Sequence, residues 1–145
     1  MSGSNIIAIS ASIMSLLAFG ISVAALYHEH RQRRLDNLIK LHLFLHQDEL
    51  SKARRAIRES DSPPSLNDEH VRRVCSSFDF AGTLVRHNAV DKAIFLDYWK
   101  VPLLSLESRM AAIGDQPTGA VPVKMYYRDF YWLIREANVH RNIYE

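Results

Sequence analysis

The stretch IIAISASIMSLLAFGISVAALY, residues 6–27, decides how the rest of the chain is read. It contains no charged residue, and as a helix its 22 residues would cover roughly 33 Å at about 1.5 Å each, against a bilayer hydrocarbon core of about 30 Å. A transmembrane helix is expected there. A cleaved signal peptide fits less well, because the first five residues carry no Lys or Arg and the apolar run is longer than a signal core. Immediately after Tyr27 comes His28-Glu29-His30-Arg31-Gln32-Arg33-Arg34. The excess of positive charge on the cytoplasmic side of membrane spans then puts Arg31, Arg33 and Arg34 inside the cell. The expected organisation is a short external N-terminus (1–5), a transmembrane helix (6–27) and a helical cytoplasmic domain (28–145), in a single-pass protein of the cell membrane.

Within the span, Ser4, Ala8, Ala11, Ser15, Ala18, Ser22 and Ala25 recur at spacings of four and three, while Ile7, Ile13, Leu17 and Phe19 lie off that line. Small residues at heptad spacing let two helices approach closely in lipid, where packing rather than the hydrophobic effect drives association. The stripe therefore points to a homo-oligomer or a membrane-protein partner; the plainer reading is that Ala and Ser are common in anchors.

About 118 residues remain for the part after the span, the usual size of one domain. The formal net charge is only +2 and the charges are interspersed, so nucleic acid is not an expected partner, while membrane lipid is. The single cysteine, Cys75, excludes an intrachain disulfide and reads as a small core residue. No stretch alternates with period two, so the fold class expected is all-α, with four to five helices after the anchor.

From His28 to Glu59 there is no Gly or Pro, and one helix is expected to run from the membrane to the stop at Ser60-Asp61-Ser62-Pro63-Pro64. Its apolar stripe is read as Leu35, Leu38, Ile39, His42 and Leu45, with acid-before-base pairs Glu29–Arg33, Asp36–Lys40 and Asp48–Lys52 at i, i+4. Asn67 or Asp68 caps the next helix, in which Val71, Val74, Cys75, Phe78, Ala81, Gly82 and Val85 follow helical spacing. Asn88 is expected to end it in a left-handed conformation. Asp91 caps a further helix carrying Ala93, Ile94, Tyr98, Leu103, Leu106, Met110 and Ile113, bent or broken at Pro102. Residues 114–123 read as an exposed loop, and residues 124–140 as a last helix with Tyr126, Phe130, Leu133, Ile134 and Ala137 on one face.

The run Phe78-Asp79-Phe80 through Leu84-Val85-Arg86-His87, then Val90-Asp91, Tyr98-Trp99 and later Tyr127, Phe130 and Leu133, resembles a family of short bacterial membrane-anchored proteins known only as a domain of unknown function. The likeness covers about residues 35–137. It implies an architecture, an anchor plus a helical domain, and supplies no catalytic residue. Asn88-Ala89 stands where that family's pattern suggests a glycine-containing turn.

His42 and His46 lie at i, i+4 with Asp48 and Glu49 nearby, a spacing that can begin a metal site, but His70, His87 and His140 supply no matching third ligand. No metal or cofactor is expected. Arg54, Arg55 and Arg58 form a second basic cluster, about 30 Å beyond the first along an unbroken helix, suited to salt bridges or a partner; Arg72-Arg73 reads as a solvated helix face. Tyr126, Tyr127, Phe130, Tyr131 and Trp132 make the densest aromatic cluster, and Tyr127, Tyr131 and Trp132 are the candidates for an exposed docking surface. Five glycines, none clustered, and no nucleophile–base order argue against an enzyme. The function expected is a membrane-anchored interaction module without catalytic activity. The alternative is a tethered sensor or effector, of stress or phage-defence type, acting on the membrane when its domain binds a ligand.

Overall fold

A computed structural model describes the backbone of residues 3–118 and 121–144, and the side chains of residues 14–117 and 121–140. The chain is all-helical in this structure apart from one minimal hairpin. The order is α1 (Gly3–Leu45), α2 (Asp48–Glu59), α3 (Glu69–Arg86), α4 (Lys92–Gly114), β1 (Pro117–Thr118), β2 (Val121–Pro122), α5 (Val123–Tyr126) and α6 (Arg128–Tyr144). Helix α1 does run without interruption from the apolar segment into the domain. Among the described residues no helix is long and apolar enough to cross a membrane; residues 6–13 of the expected span have no described side chains.

The expected helix over 28–59 is two helices. The chain turns at His46-Gln47, which no Gly or Pro announces, because the Leu45 carbonyl is taken by the Arg54 guanidinium (Nη1 at 2.6 Å) and α2 folds back so that Leu50, Ala53 and Ile57 reach the core. The second basic cluster is therefore not a continuation of the first along one rod. The apolar stripe is also rotated from the expected one. Leu38, Leu41 and Leu45 are buried, whereas Leu35 and Ile39 stay exposed. Of the three expected acid–base pairs, Glu29–Arg33 closes at 2.6 Å.

Helix α3 is the central element, and its buried set, Val71, Val74, Cys75, Phe78, Ala81, Gly82 and Val85, matches the periodic one, with Ser77 added. Asp68 caps it by accepting the His70 backbone N–H at 2.8 Å. Its C-terminus closes as a Schellman motif: the Ala89 N–H donates to Leu84 O (2.9 Å), the Asn88 N–H donates to Val85 O (3.1 Å), and Asn88 takes φ 57°. An asparagine thus fills the left-handed position that usually takes glycine.

Asp91 then caps α4 by accepting the Ala93 and Ile94 N–H groups. Helix α4 continues through Pro102, and its inner line is Phe95, Leu96, Trp99, Leu103, Leu106, Met110 and Ile113, with Tyr98 exposed. The inner aromatic is the neighbouring Trp99, because the 95, 99, 103, 106, 110, 113 series keeps helical register and Tyr98 falls off it. The expected loop over 114–123 instead holds the two-residue strands β1 and β2 and buries its ends at Gly114 and Val123. The last helix is broken after a single turn at Tyr127 (φ −103°, ψ 54°), so α6 begins at Arg128.

Candidate functional site

Three features of the chain carry more than packing, beginning with the free half of α1. Every described side chain from residue 14 to 33 is exposed, including Leu16, Phe19, Ile21 and Leu26 at about two thirds or more of full exposure or close to it (71%, 69%, 71% and 65%). Ser15, Ala18, Ser22 and Ala25 lie along one uncovered line, and the Ser22 hydroxyl donates to the Ala18 carbonyl at 2.9 Å within the helix. Ser4, Ala8 and Ala11, the first part of the same stripe, lie outside the described side chains.

The basic flank is divided. Arg31 and Arg33 face outward, Arg33 in its pair with Glu29. Arg34 turns inward to the Asp91 carboxylate at 3.5 Å, and its Nε is buried without a partner. One turn on, the Asn37 amide donates to Ala89 O at 3.1 Å. These two contacts hold the α3–α4 turn against α1 just beyond the end of the apolar run, so Arg34 fixes the domain to the helix rather than extending the outward-facing flank.

The second feature is the turn between α1 and α2. The His42 and His46 rings lie 4.3 Å apart between centroids, tilted by 51°, the His46 ring centroid is 4.9 Å from that of Trp99, and the Arg54 guanidinium sits 5.1 Å from the Trp99 centroid. The shift in His46 pKa is downward, from burial first and then from the neighbouring His42 and Arg54 charges. Among the described residues no group of three His, Cys, Asp or Glu side chains is placed to hold a metal ion. The histidine pair instead packs on Trp99.

The third feature, absent from the sequence reading, is the seam between α3 and α6. Asp79 on α3 accepts the backbone N–H groups of Asp129 (2.9 Å) and Phe130 (3.0 Å), capping α6 from another helix because α6 starts after the non-helical Tyr127. In return Asp129, buried at 5% exposure, accepts from the Thr83 hydroxyl and from Arg86 Nη1, each at 2.8 Å. Burial alone would raise the Asp129 pKa; the Thr83 and Arg86 hydrogen bonds and the Arg128 charge outweigh it, and the net shift is downward. Gly82 makes the seam possible, since a Cβ there would lie 2.7 Å from the Asp129 carbonyl carbon. The signal was present as Phe78-Asp79-Phe80-Ala81-Gly82-Thr83 followed much later by Arg128-Asp129, but only the fold pairs the two segments.

Of the three aromatics named for a docking surface, Tyr127 is buried, while Tyr131 and Trp132 remain half-exposed. Tyr127 is buried at 7%, and burial raises its hydroxyl pKa despite the hydrogen bond from Ser76. Tyr131 donates its hydroxyl to Met110 O at 2.8 Å, and Trp132 packs on the core. The large apolar side chains left exposed at this end are Met125 and Tyr126. Arg73, expected on a solvated face, joins Glu49 of α2 to Glu69 of its own helix. Cys75 is fully buried with its sulfur 3.8 Å from Met110 Sδ, and burial pushes its thiol up to about 12.

The family model described as a domain of unknown function, DUF4760, matches residues 6–137. The chain belongs to the DUF4760 family. The DUF4760 match begins at residue 6 rather than near 35, so the apolar segment is part of the family domain, and it ends at Ala137, a buried residue of α6. No curated protein and no solved structure matches the chain.

Proposed function

We propose that this DUF4760 chain is a single-pass, membrane-tethered helical module that assembles through α1 and has no catalytic role, with residues 6–27 as the tether and the domain on the cytoplasmic side. The observation that carries the reading is the uncovered apolar surface of residues 14–27. Monomeric proteins in water rarely leave contiguous apolar patches larger than a few hundred Å² exposed. A bilayer covers such a segment, and the helix satisfies its own backbone groups inside one. The outward-facing Arg31 and Arg33 set the direction, each worth on the order of 1 kcal/mol beside anionic headgroups.

Assembly is supported by the same helix. Ile39 and Leu43 are exposed, at 58% and 64%, and stand three heptads after Ala18 and Ser22. The pairing face therefore recurs beyond the apolar segment, where a second helix can pack on larger side chains. Chemical crosslinking of the full chain in mild detergent is expected to trap a dimer or higher oligomer. A strictly monomeric chain that also retains no membrane partner on purification would contradict assembly.

A further inference from the structure

The cleft between the C-terminal half of α4 and the start of α6 has no role in the tether or in its pairing. It encloses about 460 Å³, within the range of small-molecule sites. Helix α4 lines it with Glu107, Ala111 and Gly114, at i, i+4, i+7, and α6 faces them with Arg128, Tyr131 and Arg135, at i, i+3, i+7. The cleft exists because α4 presents small residues here: Ala111 leaves the opening, and Gly114 lets the Tyr131 ring lie at 3.3 Å from where a Cβ would stand. Lys124 and Asp115 close one end and pair with each other, and Ile134 adds an apolar wall.

The charges that remain decide what fits. Asp115 is held by Lys124, and Glu107 keeps its negative charge at the far wall while accepting the Asn138 amide at 2.6 Å, so the two arginines leave the lining with a net positive charge. Arg135 has no ion pair among the described residues. Arg128 reaches Asp129 only through Nε at 3.4 Å, on a carboxylate already satisfied by Thr83 and Arg86. Arg128 and Arg135, whose backbone positions stand about 10 Å apart by helical rise and whose long side chains can converge on one ligand, thus line the slot with spare donors. Guanidinium forks match phosphate oxygens in geometry and charge.

We propose that this cleft binds a small organic phosphate, a phosphate monoester held by Arg128 and Arg135 with its apolar or planar body between Ala111, Gly114 and the Tyr131 ring. A free molecule is favoured over a lipid headgroup by position. The basic flank that follows the apolar run meets the head of α4 through Arg34 and Asp91, whereas the cleft begins at Glu107, about 24 Å further along α4 by helical rise.

The test is equilibrium binding to the full chain in detergent, with AMP as probe and adenosine, inorganic phosphate and dihexanoyl phosphatidate as comparators. Saturable AMP binding is expected, with adenosine silent and inorganic phosphate weaker. Arg135→Ala removes an exposed side chain without an ion pair among the described residues and is expected to leave the melting temperature unchanged, whereas Arg128→Ala also removes a charge beside Asp129 and is expected to lower it slightly. Each is expected to weaken AMP by about tenfold or more. Ala111→Phe is expected to block the slot and abolish binding in a folded protein. The proposal is overturned if AMP fails to bind at millimolar concentration, or if binding survives all three substitutions. It is equally overturned if adenosine or inorganic phosphate binds as tightly as AMP, or if the phosphatidate displaces AMP at lower concentration than AMP itself does.

Discussion

From residue 14 to 33 every side chain of α1 is exposed, whereas eight of the 18 residues of α3 are buried and its polar groups at the α6 contact are paired one by one. Neither helix rests on intrinsic propensity, since both are rich in Ser and in Val, Ile or Phe; what separates them is where their side chains find partners. Helix α3 receives its partners from the same chain: Phe78 stacks near Phe130 (5.8 Å between centroids), Asp79 caps α6, and Gly82 admits the α6 backbone. Among the described side chains, residues 14–26 of α1 offer apolar surface and a line of small residues with every one exposed. A segment whose surface the chain itself leaves open takes its cover from outside it, and under the function proposed above that cover is lipid and a second helix.

The contrast breaks most severely at Gly82. Gly82→Val drives a branched side chain into the Asp129 backbone, so α3 and α6 must separate, and a loss of about 3 kcal/mol is expected in denaturant unfolding. A variant as stable as the parent would mean that the seam is not closely packed. Next comes Asp79→Ala, which strips two first-turn N–H groups of α6 of their acceptor and is expected to cost about 2 kcal/mol. Asp79→Asn keeps one acceptor oxygen and should recover part of that loss.

The seam has a pH signature of its own. Asp129 titrates lower in the folded chain than its ordinary 3.8, so its contribution is present above that value and is lost as pH falls through the folded pKa. Asp129→Asn is expected to lower stability near neutral pH and to flatten the acid limb below about pH 4, as followed by helical circular dichroism. An acid limb of unchanged steepness would show that this carboxylate is not held in its charged form by Thr83 and Arg86.

How far these two regions were legible in the sequence differs for a physical reason. The caps at Asp68 and Asp91, the left-handed Asn88 and the buried line of α3 are local, and each was readable from side-chain chemistry within one turn. The break at His46-Gln47 was not, because Arg54 creates it by reaching back nine positions to the Leu45 carbonyl. The buried stripe at Leu38, Leu41 and Leu45 is one of two helical lines the leucines allow, and only the position of the domain selects it over Leu35 and Ile39. Tyr127 was a candidate for partial exposure on a straight helix; the interruption at that residue turns it into the core, while Tyr131 stays half-exposed. The Asp79–Asp129 exchange joins residues about fifty positions apart, which no spacing rule reaches.

The smallest effect on the domain, and the sharpest on assembly, is expected from Ser15→Leu with Ser22→Leu. Both positions are exposed on α1, so unfolding of the domain should shift by less than about 0.5 kcal/mol, while crosslinked oligomer in detergent should fall several-fold. Unchanged association would reduce the segment to a plain tether. Ile39→Glu probes the same pairing outside the apolar segment, and a weaker loss of oligomer is expected there.

The central claim, that the open surface of α1 belongs in a bilayer, is tested most directly by alkaline carbonate extraction of membranes from cells expressing the full chain, alongside a Leu17→Arg, Ile21→Arg variant. The parent chain should stay in the membrane pellet and the variant should be released. A parent chain recovered in the carbonate supernatant would contradict the claim.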